Sequence, residues 1–301
     1  MFKTIGLISK NINNNFLNNT LIEIYYFLKK HHYEVFIEKT IFNYLNLVEE
    51  HTHNTLSIHA IGETCDLAIV VGGDGNMIGA ARILSQYNIA LLGVNRGTLG
   101  FLTDIEPDKC KKQILSILKG EFITEKRFLL EAQIINEKNT QSSSIAVNEI
   151  VLHPGRIAHM MQCEVYINNT FLSHYKGDGI IISTPTGSTA YSMSAGGAIL
   201  TPNLNTIILV PMLPHSLSSR PIVLDADSHL KLIPYYQDKN FELSFDGHIV
   251  RNIEKDDIII IKKLKNHFRL IHPKSYDYFQ NLRSKLAWNI NYTTANTDPK
   301  T

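Results

Sequence analysis

The chain has 301 residues, 44% of them hydrophobic and 19% charged, so it can hold two domains with sizeable cores and lacks the composition of a disordered chain or a coiled coil. Lys+Arg 29 against Asp+Glu 28 leaves a formal net charge of +1, which argues against a whole-protein field for nucleic acid or an anionic membrane and requires any anionic ligand to be held locally. The three cysteines, Cys65, Cys110 and Cys163, form no CxxC pair, and no apolar stretch approaches the roughly 18 residues of a membrane span, so a reducing cytoplasmic setting is expected.

Thr4 to Ser9 reads as a first strand, and the spacing of Phe16, Leu17, Leu21, Ile24 and Leu28 predicts an amphipathic helix after it. The asparagine-rich stretch Asn11 to Asn19 reads as a solvent-exposed connection. "YEVFIE" is a second strand, and the continuous apolar run Asp66 to Val71 is a strand buried on both faces, closed by Gly72 and Gly73. A helix is expected after Asn76, then the strand "IALLGV", then a helix from about Pro107 to Leu118. This alternation predicts a parallel sheet flanked by helices.

From Arg127 the pattern changes to short β-rich runs, "FLLEAQIINE", "SIAVNEIVLH", "MMQCEVYIN" and "GIIIST". The expected organisation is an α/β domain over 1–125, a β-rich domain over 126–272, and a C-terminal segment over 273–301 in which "YDYFQNLRSKLAW" returns to a helical period.

Three stretches carry chemistry. In "VVGGDGNM", Val70 to Met77, a strand, a glycine turn and a helix bring backbone N–H groups to one point, where phosphate is favoured. The turn matches neither GxGxxG nor the P-loop, whose lysine it lacks, and the charged residue it contains is Asp74. An aspartate beside phosphate holds a cation or accepts a proton from an attacking hydroxyl; the plainer alternative is a helix N-cap, worth about 1 kcal/mol. In "DGIIISTPTGSTAYSMSAGG", Asp178 to Gly197, a buried strand leads into a dense run of hydroxyls with Tyr191, which suits a nucleoside. In "VNEIVLH", Asn148 and Glu149 either offer polar groups to a sugar and an amide or are two exposed strand residues.

With "PHSLSSRPIV" at Pro214 to Val223, these motifs stand in the order and approximate spacing of the bacterial NAD kinase family, which the chain resembles from near its N-terminus through "IHPKSYDYF". "GGDG" alone is shared with phosphofructokinases and lipid kinases, whereas its combination with "TPTGSTAYS" is specific. The resemblance implies an α/β N-terminal domain, a β-rich C-terminal domain and a C-terminal segment returning to the first. It also implies a phosphotransferase that uses ATP and Mg²⁺ or another divalent cation to phosphorylate the 2′-hydroxyl of the adenosine ribose of NAD, giving NADP, in a homo-oligomer.

On this resemblance Asp74 is the catalytic proton acceptor, and Asp74 and Gly75 face the dinucleotide. Asn148, Glu149, His159, Lys176, Asp178 and His248 supply polar contacts to NAD, and Thr189, Ala190, Tyr191, Ser192, Met193 and Ser194 line its adenosine and nicotinamide sites. Gly72, Gly73, Gly75 and Asn76 border the ATP phosphates. The chain departs from the commonest family pattern in having Asn76 for threonine, His248 for glutamine and Lys176 for arginine. A kinase acting on a lipid or sugar hydroxyl and a non-catalytic dinucleotide sensor are the alternatives; NAD binding and turnover distinguish them.

Overall fold

The computed structural model describes residues 2–10, 15–42, 44–45, 54–96, 100–136, 141–155, 159–235 and 241–288. Among these the chain forms two compact units. One comprises the residues up to Met77, Ala90–Thr124 and the chain from Leu270; the other comprises Ile78–Ile89 and Glu125–Arg269.

In the first unit, strands β1 (Thr4–Ile8), β2 (Glu34–Glu38), β3 (Thr55–Leu56), β4 (Leu67–Gly72) and β5 (Ala90–Asn95) pair in parallel in the order β5-β4-β1-β2-β3. Every residue of β4 and β5 is buried, as an apolar run without alternation requires when helices cover both faces. The helices are α1 (Asn15–Lys30), α2 (Lys39–Phe42), α3 (Ile58–Thr64), the start of α4 (Asp74–Leu84), and α5 (Cys110–Leu118), which follows a 3-10 turn at Pro107–Lys109. Leu17, Leu21, Ile24 and Leu28 place one face of α1 in the core with β1, β4 and β5 residues. Helix α1 therefore includes Asn15, Asn18 and Asn19, which correct the expected exposed connection; residues 11–14 of that stretch lie outside the described residues.

The second unit holds two antiparallel sheets. One contains β9 (Met161–Ile167), β10 (Thr170–Gly177), β14 (Leu230–Pro234) and β17 (Ile258–Pro273) in the order β10-β9-β14-β17, with β6 (Phe122–Ile135) pairing β17 and β7 (Gln141–Ala146). The other runs β13-β12-β11-β8-β15-β16, with β8 (Glu149–His153), β11 (Gly179–Ser183), β12 (Thr206–Met212), β13 (Ile222–Asp225), β15 (Phe241–Phe245) and β16 (Ile249–Ile253). Ile150, Leu152, Ile180 and Ile182 face the first of these sheets in one core, whereas Val151, Ile181, Ile208 and Val210 pack with Leu200 in another. The second sheet is thus covered on both faces, which explains the unbroken apolar run "GIIIS".

The architecture is the predicted one, an α/β unit and a β-rich unit, with the chain from Leu270 grouped with the first. Ile271 joins the first core, and α6 (Tyr191–Ser194) and α7 (Tyr278–Lys285) complete the helices. Residues 78–89, which the sequence pattern places in the α/β domain, group with the second unit because Arg82 and Arg269 tie them there: Arg82 to Asp246 at 2.7 Å, and Arg269 to the Asn88 carbonyl at 2.8 Å. Residues 289–301 of the expected C-terminal segment lie outside the described residues.

Leu92 is wholly buried in β5. Leu92→Ala is expected to cost the first unit about 2–5 kcal/mol, read from urea unfolding; a loss below about 1 kcal/mol would mean that the parallel sheet is not the core of that unit.

Candidate functional site

The glycine turn ends β4. Gly72 has φ +148°, and a Cβ there would collide with the Asn76 amide, whose Nδ2 donates back to the Val71 carbonyl at 3.1 Å. The carbonyl of Gly73 receives the N–H groups of Asn76 (3.0 Å) and Met77 (3.3 Å), so the helix begins at Asp74, ahead of the expected start after Asn76. A Cβ at Gly73 or Gly75 would meet open space, so both sit on an open face at a helix N-terminus, where phosphate binds favourably.

Asp74 is not a simple N-cap. Its Oδ2 accepts the N–H of Phe101 at 2.7 Å, and its Oδ1 accepts the N–H groups of Leu102 (3.0 Å) and Thr103 (3.2 Å) and the Thr103 hydroxyl (3.2 Å). Thr103 and Asn95 are buried, and the Asn95 amide holds both the carbonyl and the hydroxyl of Thr103. A Cβ on Gly100 would fall on the Asp74 carboxylate and the Thr103 hydroxyl, so glycine is needed for this close approach. The carboxylate is fixed in direction by four donors, and Oδ2, with one of them, keeps a lone pair for a proton.

In the second unit, Asp246 and Gly247, with φ +51° and +67°, form the tight turn between β15 and β16. That turn aims the Asp246 carboxylate at the start of β8, where it accepts the N–H groups of Val147 (3.0 Å), Asn148 (2.7 Å) and Glu149 (3.2 Å). Arg82 completes the arrangement from α4, its side chain 12% and that of Asp246 1% exposed. Arg82 and Asp246 hold the start of β8 in place, and the motif reading misses both; the DG dipeptide before a β-branched strand signals the turn, but nothing in the sequence names Arg82 as its partner.

Asn148 and Glu149 are buried rather than exposed, and Asn148 Oδ1 and Glu149 Oε2 have no hydrogen-bond partner within the protein. Burial first, and the Asp246 charge second, push the Glu149 carboxyl up to about 8, while the N–H of Tyr191 pulls it the other way. Near neutral pH this carboxyl is therefore largely protonated and can act as a hydrogen-bond donor. Glu149 lines a cavity of about 550 Å³ together with His153, His159, Asp178, Tyr191 and Asp246. Burial also lowers His153 against the opposing charge of Glu242, and its Nδ1 accepts the Gly155 N–H at 3.1 Å. A half-exposed tyrosine face, a carboxyl donor and a carboxylate suit a base and a sugar with free hydroxyls.

Glu149, His159, Asp178 and Tyr191 meet at this cavity, and Asn148 directly precedes Glu149. Lys176 and His248 are exposed and are not among the lining residues. Lys176 lies between the buried Tyr175 and Gly177 on β10, and strand alternation turns it to the opposite face. The hydroxyls of "STPTGST" mostly hold the loop itself. Thr184 binds the Val147 carbonyl at 2.7 Å and the Gly187 N–H at 3.1 Å, and Ser188 binds the Pro185 carbonyl at 2.7 Å and the Leu200 N–H at 3.0 Å. A Cβ at Gly187 would strike the Asn148 carbonyl, so this loop closes directly onto the Asn148–Glu149 turn. Thr189, Ala190 and Met193 are half-buried, Ser194 is exposed, and the buried Ser192 hydroxyl has no partner within the protein.

Two family models match the chain, the ATP-NAD kinase N-terminal domain over residues 5–122 and the ATP-NAD kinase C-terminal domain over residues 147–273. Among similar curated proteins, an NAD kinase from Shewanella piezotolerans is 53% identical over 289 residues, covering 95% of this chain and 92% of its own length. An NAD kinase from Aeromonas salmonicida is 50% identical over 289 residues, covering 95% and 97%. A crystal structure of yeast NADH kinase complexed with NADH shares the fold with a TM-score of 0.87 at 23% identity, over 98% of this chain and 90% of that one. An NAD kinase from Archaeoglobus fulgidus in complex with ATP gives 0.69 at 23% identity, over 94% and 98%.

Arg82→Met leaves the Asp246 carboxylate buried without its cation, and the second unit should lose about 3–5 kcal/mol in denaturant unfolding; an unchanged midpoint would show the ion pair to be dispensable. Glu149 gives a pH test. Its folded value of about 8 lies above the 4.5 of an ordinary glutamate, so its contribution is fully present below 4.5 and is lost as pH rises through 8. Unfolding stability of the free protein should fall between about pH 5 and 8 more steeply than that of Glu149→Gln. Equal slopes would remove Glu149 as the cause.

Proposed function

The chain belongs to the ATP-NAD kinase family, its activity is the phosphorylation of NAD to NADP with ATP as donor, and we propose how its residues divide that work. The attacking group is the 2′-hydroxyl of the adenosine ribose. Its oxygen forms a bond to the γ-phosphorus of ATP as the bond from that phosphorus to the β-bridging oxygen breaks, and its proton passes to Oδ2 of Asp74. The observation that carries this assignment is the Asp74 carboxylate itself, fixed by the N–H groups of Phe101, Leu102 and Thr103 beside an open glycine turn.

A carboxylate is too weak a base to strip a ribose hydroxyl in advance, so Asp74 takes the proton as the new bond forms. Most of the acceleration then comes from placement, as in other phosphoryl transfers. Gly72, Gly73, Gly75 and Asn76 border the polyphosphate at the start of α4, and Gly75 also faces the dinucleotide. Glu149, Asn148, His159 and Asp178 take the polar groups of NAD, with Tyr191 and its neighbours Thr189, Ala190, Ser192, Met193 and Ser194 around its rings; the unpartnered Asn148 Oδ1, Glu149 Oε2 and Ser192 Oγ support this placement. The family pattern also assigns Lys176 and His248 to NAD, although both lie outside the lining of this cavity.

The phosphate donor brings a divalent cation, Mg²⁺ or another. Among the described residues no three His, Cys, Asp or Glu side chains form a group suited to hold one, and phosphate oxygens are its usual carriers. The three cysteines are free and buried, which supports residence in the reducing cytoplasm. Exposed Phe171 and Leu172 on β10 support assembly of the chain into a homo-oligomer; a monomer mass by light scattering would contradict that.

NADP formation from NAD, ATP and Mg²⁺, followed with an NADP-specific dehydrogenase, tests the assignment. Asp74→Asn should lower kcat by about 10²–10⁴ while NAD binding by calorimetry is kept. A near-normal kcat would remove Asp74 from the role of proton acceptor.

A further inference from the structure

The first unit contains a second polar cavity, of about 390 Å³, between the chain from Asp104 through α5 and the segment that leads from β17 into α7. Three buried side-chain atoms of its lining, Asp104 Oδ1, Gln113 Oε1 and Asn281 Nδ2, have no hydrogen-bond partner within the protein. Unpartnered buried polar atoms also mark the dinucleotide pocket, and each is costly unless something enters to meet it. The Asp104 side chain is only 5% exposed, and its other oxygen lies 3.0 Å from His272 Nδ1. The space far exceeds the roughly 30 Å³ of one water molecule.

Charge decides what fits. Of the carboxylates at this cavity, Glu106 is paired with Lys109 at 2.8 Å, and Asp277 caps α7 through the N–H groups of Phe279 and Gln280. Asp104 remains as a buried acceptor facing the space. The amides of Gln113 and Asn281 can turn either end inward, so the fixed requirement is a hydrogen-bond donor for Asp104 Oδ1, the oxygen that His272 does not reach. A protonated amine supplies that donor together with charge opposite to the carboxylate, and no three His, Cys, Asp or Glu side chains among the described residues are grouped to hold a metal ion instead.

We propose that this cavity is an effector site for a compact amine-bearing molecule that acts on the segment holding Asp74. Asp104 directly follows Phe101, Leu102 and Thr103, whose N–H groups fix the Asp74 carboxylate. The ring of Phe101 also faces α7, with Tyr278 at 6.5 Å between centroids and the Lys285 ammonium 5.1 Å above it. A ligand bridging Asp104 and Asn281 therefore bears on the same segment through the chain and through α7. The coupling rests on Asp74 as proton acceptor, whereas the binding does not.

The test uses the full chain with ethanolamine and putrescine as probes and ethylene glycol and butanediol as uncharged controls, followed by ligand-detected NMR and by NADP formation. Saturable one-site binding of an amine below about 10 mM, absent for the diols and lost in both Gln113→Leu and Asn281→Leu, is the expected result. Saturating amine should change kcat by about fivefold in the unaltered enzyme and leave each variant at its own basal rate, equal to that of the unaltered enzyme. Absence of saturable amine binding, or binding that both variants retain, overturns the site. Binding without any change in kcat overturns the effector role. An enzyme that binds amine but makes no NADP would fault the proposed chemistry and not the site.

Discussion

Both units are built around one device, a carboxylate that accepts three successive main-chain N–H groups. Asp74 gathers those of Phe101, Leu102 and Thr103 in the first unit, and Asp246 gathers those of Val147, Asn148 and Glu149 in the second. An ionised carboxylate only accepts hydrogen bonds, and charged acceptors bind N–H groups about twice as strongly as neutral ones. Three convergent donors therefore set its position and fix the backbone that supplies them. In each case a glycine stands where a side chain would block the approach or the turn: Gly100 beside Asp74, and Gly247 after Asp246.

The two carboxylates are used differently because their surroundings differ. Asp74 opens a helix next to Gly73 and Gly75, at each of which an added Cβ would meet open space. Asp246 is closed in by Arg82, and what it exposes is the pair Asn148 and Glu149, each with an unpartnered buried oxygen. Burial, and after it the negative charge of Asp246, raise the Glu149 carboxyl, so a structural carboxylate contributes to the protonation of its neighbour. The hydroxyl-rich loop is largely occupied with itself, and its contribution is to close rigidly over that pair.

Much of this was legible in the sequence. The apolar run ending in "GGDGN" predicts the strand, turn and helix that carry Asp74, and the period of α1 and the unbroken runs of β4, β5 and β11 predict where the cores lie. What sets the site's geometry was not legible, because it joins residues far apart in the chain. Nothing local to Asp74 points to a segment 27 to 29 residues away, and Arg82 meets Asp246 across 164 residues. The turn from β9 into β10 uses Asn168 and Asn169, whose positive φ angles make a tight turn of two residues. The asparagines of α1 misled: Leu17, Leu21 and Ile24 bury the helix face, and tertiary packing overrides the turn preference of their neighbours.

The central claim is that the Asp74 carboxylate works because the 100–103 backbone holds it, and a double-mutant cycle in kcat tests it most directly. Gly100→Ala places a methyl group against that carboxylate. If Gly100 acts through Asp74, Gly100→Ala lowers kcat strongly in the Asp74 enzyme and adds almost nothing to Asp74→Asn, a coupling of about 1–3 kcal/mol. Additive losses, with Gly100→Ala costing the same factor in both backgrounds, would contradict the claim and make the segment a scaffold with no part in placing the proton acceptor.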